Sequence, residues 1–221
     1  MRTTVALTLL SFSAALVIGT VMAAFRVSPI APLRTLGTFY VEAVRNTPLA
    51  ALMILFFFGF PKAGVQFESF FLTAVVVLSL YTGTFVTETV RSGINTVAVG
   101  QAEAARSLGL TFPQVLSVVV LPQAIRSVVA PLGSVFIALI KNSAIASIIS
   151  VEDLAFMAEK VAFETARPIP VFLGAALGYL VLALPSGWVV GAIERRTAIK
   201  RCGPPPFRRS PTPSGLEPCA R

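Results

Sequence analysis

Long apolar runs separated by short charged stretches form the main pattern of this sequence. A helix needs about 20 residues to cross a lipid bilayer, and five runs reach that length: residues 4–25, 39–60, 67–90, 126–149 and 171–193. The second run is strongly apolar only over 47–60 and reaches the required length by extending backwards past Glu42 and Arg45. The pattern predicts an all-α membrane protein with about five transmembrane helices, in one domain that covers residues 1–201.

A sixth uncharged stretch, residues 107–125, differs from the other five. It contains two prolines and two glutamines, and only residues 115–121 are strongly apolar. Proline lacks an N–H group and disfavours the interior of a helix. We therefore interpret this stretch as a short helix at the membrane surface, packed beneath the bundle and separated from the fourth spanning helix by Pro122.

Composition and charge agree with a membrane protein and indicate its orientation. Charged residues make up 13% of the chain, against about 25% in soluble domains. The net charge of +8 does not indicate nucleic-acid binding, because the basic residues lie between the apolar runs and in the tail. With the C-terminus inside, twelve Lys and Arg residues lie inside and four outside. The positive-inside rule thus predicts an external N-terminus, a cytoplasmic loop at 91–126 and a cytoplasmic C-terminus in a plasma membrane. The Pro/Arg-rich residues 202–221 are expected to form a disordered cytoplasmic tail.

The segment 101–122 carries the clearest functional signal. It combines Glu-Ala-Ala with a glycine four residues after the second alanine, and with Leu-Pro at 121–122. Alanines on a short helix expose a nearly bare backbone to a partner protein, and glycine tolerates the left-handed conformation that ends many helices. The candidate contact residues are Gln101, Glu103, Ala104, Ala105, Gly109 and Leu110.

This segment resembles the EAA loop through which membrane subunits of bacterial ABC importers bind their ATPase. Further strings resemble permeases for polar amino acids: Arg-Asn-Thr-Pro-Leu at 45–49, Glu-Thr-Val-Arg-Ser-Gly-Ile at 88–94, Lys-Asn-Ser at 141–143 and Asp-Leu at 153–154. Residues 25–29 and 92–96 are most similar to glutamate-uptake permeases of actinobacteria. The family normally has a segment before the first span, whereas Met1 lies at the edge of that span here, and the family pattern does not include the Pro-rich tail.

The resemblance implies the helical bundle of a type-1 ABC importer permease with a cytoplasmic coupling loop. It also implies an ATP-binding subunit, a second permease copy or paralogue, an extracellular solute-binding protein and an amino-acid substrate, without a cofactor. The chain contains no Gly-x-x-x-x-Gly-Lys-(Ser/Thr) phosphate loop. ATP hydrolysis is therefore expected on a separate subunit, and this chain is not expected to be an enzyme.

Two basic residues lie inside predicted spans, where a charge is costly and normally faces a cavity or a partner. They are Arg45 and Lys141, and the polar Asn142 and Ser143 follow Lys141. We take these four as a candidate substrate path. For Arg45 the alternatives are an ion pair with Glu42 or extension to the membrane interface, and for Lys141 a structural role.

Glu88 and Arg91 lie three residues apart, on one face of a helix, and are positioned to form an ion pair. This pair is either structural, at the cytoplasmic rim, or part of a gate.

Two other classes of protein fit the sequence less well than an importer. An ion-coupled secondary amino-acid carrier would need acidic residues in mid-membrane, and few occur there. A membrane enzyme would need catalytic carboxylates, histidine or a metal cluster. The chain has no histidine, and its two cysteines, both in the tail, lack the spacing of metal ligands. We therefore predict no catalytic and no metal-binding residue.

Overall fold

The computed structural model describes residues 1–65 and 67–197, and this part of the chain is helical with connecting turns. The α-helices in chain order are α1 (Arg2–Val27), α2 (Ala31–Arg45), α3 (Leu49–Ile54), α4 (Phe60–Lys62), α5 (Phe70–Asn95), α6 (Val99–Ser107), α7 (Phe112–Gln114), α8 (Leu121–Asn142), α9 (Leu154–Thr165) and α10 (Pro168–Thr197). π-Helical turns occupy Leu55–Gly59 and Val115–Val120, and Ser143–Ile149 form a 3₁₀-helix.

Four of these helical segments are long and apolar enough to cross a membrane. They are Arg2–Val27, Phe70–Asn95, Val115–Ile149 and Pro168–Arg195. A bent pair, Ala31–Arg45 with Leu49–Lys62, supplies a fifth if it is counted as one span. The prediction of an all-α protein with about five spanning helices is thereby confirmed. The predicted disordered tail, residues 202–221, lies outside the described residues.

The second predicted span is not a single helix, and the expectation of a continuous helix over 39–60 is wrong. Helix α2 ends at Arg45, α3 begins at Leu49, and the two parts are bent by 100°. Pro48 is the cause, because proline has no N–H to donate and restricts the residue before it to extended conformations. Broken helices occur within membrane proteins where the freed backbone lines a cavity or is buried in protein.

The predicted separate surface helix over 107–125 is also wrong, because residues 112–142 form one helical rod. The π-helical turn makes this possible: its closing bond runs from the Leu121 N–H to the Leu116 carbonyl, five residues back. That shift in bonding places Pro122 in the first turn of α8, where a missing N–H costs little. Pro122 is therefore accommodated within the rod, and the fourth span begins near Val115.

Small residues hold the central helix pair, α1 and α5, together. The Ser79 hydroxyl donates to the Ser11 carbonyl at 3.3 Å, and the Thr87 hydroxyl donates to the Gly19 carbonyl at 3.2 Å. A Cβ added at Gly19 would lie only 2.5 Å from the Val86 Cβ. In a membrane such close backbone approach and interhelical hydrogen bonds replace the hydrophobic effect as the source of helix association.

The contacts also set the directions of the helices. Helix α5 runs parallel to α1, because the two hydrogen bonds between them join residues 68 apart in both cases. Helix α10 runs antiparallel to α8: a Cβ added at Gly133 would contact Val190, and one added at Gly187 would lie 3.8 Å from Ile137. Helix α8 is antiparallel to α5, because Gly93 packs against Ala124 and Thr82 shares a cavity with Leu139. The C-terminal ends of α1, α5 and α10 therefore lie on one side of the bundle, together with α6.

Candidate functional site

Helix α6 carries the Glu-Ala-Ala residues, and its end has the geometry that the sequence predicted. Gly109 has φ +87°, in the left-handed region. The Gly109 N–H donates to the Arg106 carbonyl at 2.9 Å, and the Leu110 N–H donates to the Ala105 carbonyl at 3.3 Å. Together these bonds form a Schellman motif, which satisfies carbonyls that a helix end leaves open. The helix is thereby closed and turned back towards the bundle at Gly109.

The two alanines of α6 face in different directions. Ala104 and Glu103 are exposed, whereas Ala105 is only 8% exposed. Helix α6 packs on the π-helical turn Val115–Val120, in which Val115 is buried. The interpretation that both alanines present bare backbone to a partner is therefore wrong for Ala105, which faces this chain's own body because the helical period turns it away from Ala104.

Apolar side chains remain exposed on α6. Val99 is 71% exposed and Leu108 is 82% exposed, at the two ends of the helix. Ala104 and Glu103 are exposed between them. Val99 and Leu108 are about two and a half turns apart and so lie on opposite sides of the helix. Exposed apolar side chains favour association with another protein, since apolar area is buried on binding.

Helix α6 is also tied to the rod that contains α8. The Gln123 side-chain amide donates to the Gln101 side-chain oxygen at 2.8 Å. In the connecting turn, the backbone N–H and the hydroxyl of Thr111 both donate to the Gln114 side-chain oxygen at 2.8 Å. Helix α6 is thus attached by a hydrogen bond to the start of a spanning helix.

Glu88 and Arg91 belong to a cluster of three charges. Arg91 donates through Nη2 at 2.9 Å and through Nε at 3.2 Å to Glu88 Oε2. The other carboxylate oxygen, Oε1, forms an ion pair with Arg26 Nη1 at the end of α1. Sequence reasoning missed Arg26, which is 62 residues away from Glu88 and carries no motif that would link the two.

The structure places two of the four candidate substrate residues, Arg45 and Asn142, near Phe85. A cavity with a volume of about 240 Å³ lies between α5 and α8, and Phe85 and Asn142 are among its lining residues. Arg45 lies at the bend between α2 and α3, and its guanidinium carbon is 5.1 Å from the centroid of the Phe85 ring. This distance is within the range of a cation–π interaction. Phe85 therefore contacts the Arg45 cation and lines the same cavity as the Asn142 amide, although Arg45 is not itself a lining residue.

The other two candidates are placed differently. Lys141 is exposed, and no carboxylate within residues 1–65 and 67–197 forms an ion pair with it. Ser143 is fully buried and donates its hydroxyl to the Ile140 carbonyl at 2.8 Å, so it does not line the cavity. In the same described ranges, Arg45 makes no ion pair with Glu42.

Asp153 has a structural role that the sequence did not indicate. Its Oδ1 accepts the Phe156 N–H at 2.8 Å and thereby caps α9, and its Oδ2 accepts the Tyr179 hydroxyl of α10 at 2.8 Å. The Asp153 side chain is buried, and this burial raises its pKa. The carboxylate thus fixes α9 against α10 at the end of the bundle opposite α6.

Comparison with known proteins decides between the functional classes. The family described as "Binding-protein-dependent transport system inner membrane component" matches residues 15–199. The chain belongs to this family. Among curated members, the glutamate transport system permease protein of Corynebacterium glutamicum is 41% identical over 90% of this chain and 92% of its own length. The probable glutamine ABC transporter permease protein of Bacillus subtilis is 40% identical over 85% and 86%.

A solved structure shares the fold of this family member. A chain in the crystal structure of an amino acid ABC transporter with histidines superposes with a TM-score of 0.84, at 33% identity, over 89% of this chain and 91% of the other. The chain is therefore the permease component of an amino-acid ABC importer and a multi-pass membrane protein of the type-1 importer fold. Its relatives are permease subunits, which are not themselves enzymes. The ion-coupled secondary carrier receives no support from these relatives.

Proposed function

We propose that this permease imports a glutamate-like amino acid, acidic or polar, and that a separate ATP-binding subunit docked on α6 drives the import. The observation that carries the substrate proposal is the cavity beside the broken helix, where Arg45 stacks on Phe85 and Asn142 supplies an amide. The named relatives for glutamate and glutamine support the same substrate class.

The structure of α6 supports docking of the ATP-binding subunit at this helix. The Schellman end at Gly109 and the Gln101–Gln123 hydrogen bond hold the helix in place, and its exposed side offers Ala104 with Glu103 at its edge. When the ATPase closes on ATP, it would move α6. Helix α6 would move the α8 rod with it as a rigid body. ATP hydrolysis resides in that partner, and this chain carries no catalytic residue.

The orientation follows from the distribution of charge. The side of the bundle that holds α6 also holds the ends of α1, α5 and α10, and the basic residues there include Arg26, Arg91, Arg106, Arg126 and Arg195. This side is the cytoplasmic one, with the N-terminus of α1 outside, in a bacterial plasma membrane. The solute-binding protein delivers substrate on the opposite side, where Asp153 joins α9 to α10, and a second permease copy or paralogue completes the path.

The electrostatics favour an anionic group on the substrate. Arg45 and Lys141 are two cations without a carboxylate partner in the described part of the chain, and a charge within a span is costly unless it is compensated. A substrate carboxylate that contacts either cation compensates its charge. Glu88 and Arg91 contact neither cation and lie towards the cytoplasmic end, where they join α5 to α1 through Arg26.

The test is uptake by proteoliposomes that contain the permease, its ATP-binding subunit and its solute-binding protein. ATP-dependent uptake of labelled glutamate is expected, and the variants Arg45→Gln and Lys141→Met should reduce it severely without preventing binding of the ATPase. Arg34→Gln is the matched control, since Arg34 is an exposed cation on α2 that, unlike Arg45, makes no cation–π contact with Phe85 in the described part of the chain. Preferred uptake of arginine or lysine, or full activity of the Lys141→Met protein, contradicts the assignment.

A further inference from the structure

A polar cavity lies further along α5, over its C-terminal turns and near the start of α6. It has a volume of about 360 Å³ and lies between α5 and α8. Its lining residues are Glu88, Thr89, Arg91, Ser92, Gly93, Thr96, Ser127 and Pro131. None of them lines the cavity that contains Phe85 and Asn142. Glu88 follows Phe85 by three residues on α5, so this cavity adjoins that one on the side of the bundle that holds α6.

The charges at this cavity have a net positive sign. Arg26 and Arg91 contribute two guanidinium groups against the single carboxylate of Glu88. Arg91 uses Nε and Nη2 in its bonds to Glu88, and 37% of its side chain is exposed. Its Nη1 group makes no hydrogen bond to the described residues and remains available as a donor. A guanidinium with a free face next to a carboxylate suits a ligand with both a carboxylate and an ammonium group.

Hydroxyl groups form the rest of the wall. Thr89 and Ser92 line the cavity, and their hydroxyls have no partner among residues 1–65 and 67–197. On the α8 side, Ser127 bonds to the Gly93 carbonyl and to Thr96, both at 3.3 Å. Gly93 packs directly against α8, so the two helices are in fixed contact at one side of the cavity. The hydroxyls of Thr89 and Ser92 remain available to a ligand.

We propose that this cavity is a product site, which binds a small amino acid from the cytoplasmic side and thereby slows further import. The carboxylate of the ligand binds Arg91, its ammonium group binds Glu88, and Ser92 and Thr89 donate further hydrogen bonds. A ligand held there bridges α5 to α8 next to α6 and opposes rearrangement of these helices. This inference rests on the proposed import of a glutamate-like amino acid, because the imported molecule is released on this side.

The experiment uses proteoliposomes with the complete transporter, ATP in the lumen, and labelled glutamate with the solute-binding protein outside. Initial uptake is measured with an empty lumen and with increasing unlabelled luminal glutamate. Luminal glutamate is expected to lower the rate, and glutarate and inorganic phosphate at the same concentration should be much weaker, because neither has an ammonium group.

Two variants and one control locate the effect. Arg91→Gln should raise the luminal glutamate concentration for half-inhibition by roughly tenfold or more, the loss typical of a hydrogen bond to a charged group. Ser92→Leu fills the cavity and leaves the ion pairs untouched, so it should relieve inhibition equally even if Arg91→Gln does not assemble. Arg126→Gln is the control, since Arg126 is an exposed cation adjacent to Ser127 that does not line the cavity.

The outcomes separate this proposal from the function on which it rests. Absence of uptake with an empty lumen would contradict the proposed function. Normal uptake that luminal glutamate does not change overturns the product site alone. Inhibition that persists unchanged in Ser92→Leu places the product site elsewhere, and equal inhibition by phosphate shows a general anion site; both overturn the assignment.

Discussion

Replacement of Gly109 by valine tests whether the closed end of α6 is required for coupling. Gly109 has φ +87°, and a Cβ added there would meet no atom within 4 Å. The cost of the substitution is therefore purely conformational, about 2 kcal/mol for a residue with a side chain in the left-handed region. That energy disfavours the Schellman end by roughly thirtyfold. We expect α6 to lose its fixed position and the ATPase to bind roughly tenfold more weakly.

The assay is co-purification of the ATP-binding subunit at increasing salt and detergent, followed by ATP-dependent uptake in proteoliposomes. Gly64→Val is the matched control. Gly64 also has φ +87° with no atom within 4 Å of an added Cβ, but it lies before α5, at the end away from α6. The control should bear the same strain and retain the ATPase. If Gly109→Val assembles and transports like the wild type, or if Gly64→Val fails to the same extent, the reasoning is refuted.

Three further predictions concern α6, the α1–α5 interface and the tail. Ala104→Arg should fold and lose the ATPase, whereas Ala105→Arg should lower the thermal stability of the permease itself in detergent, because only Ala105 is buried. Gly19→Leu should destabilise the permease by about 1–3 kcal/mol through overpacking against Val86, seen as a lower unfolding temperature. A chain that ends at Arg201 should insert and transport at near wild-type level; loss of assembly would show that the tail binds a partner.

The spanning helices were predictable because their signals are local in sequence. Uncharged runs of sufficient length identify α1, α5 and α10, and the Gly109 conformation follows from a glycine at the end of a short alanine-rich helix. Each of these features depends on residues within a few turns of one another. Neither long-range packing nor an alternative hydrogen-bonding pattern changes these helices or the conformation of Gly109.

The bend and the continuous rod do not follow from the lengths of the apolar runs and the positions of the prolines. The run at 47–60 is too short to span and reaches span length only by extension through Arg45, although Pro48 within the run breaks the helix. Pro122 predicts a second break, but a π-helical turn accommodates it. Whether a proline ends a helix or is accommodated depends on the hydrogen bonds of the preceding turn, which composition does not reveal.

The site residues were predictable only in part. Some contacts join residues that are far apart in the sequence, and the sequence does not show which side of a helix faces the bundle. The pairing of Glu88 with Arg91 follows from helical spacing, whereas Arg26 reaches Glu88 through the parallel packing of α1 on α5. Similarly, Arg45 and Asn142 both lie near Phe85 because the bend and α8 converge there. The burial of Ala105 and of Ser143 depends on which side of each helix faces the bundle.

The most direct test of the whole account is the energy source of transport. Glutamate uptake should be measured in proteoliposomes with the permease and the solute-binding protein, in the presence and absence of the ATP-binding subunit and of luminal ATP, without any ion gradient. The account predicts uptake only when both the ATPase and hydrolysable ATP are present, and loss of that uptake with Ala104→Arg. Uptake that proceeds without the ATPase when a proton or sodium gradient is applied would contradict it.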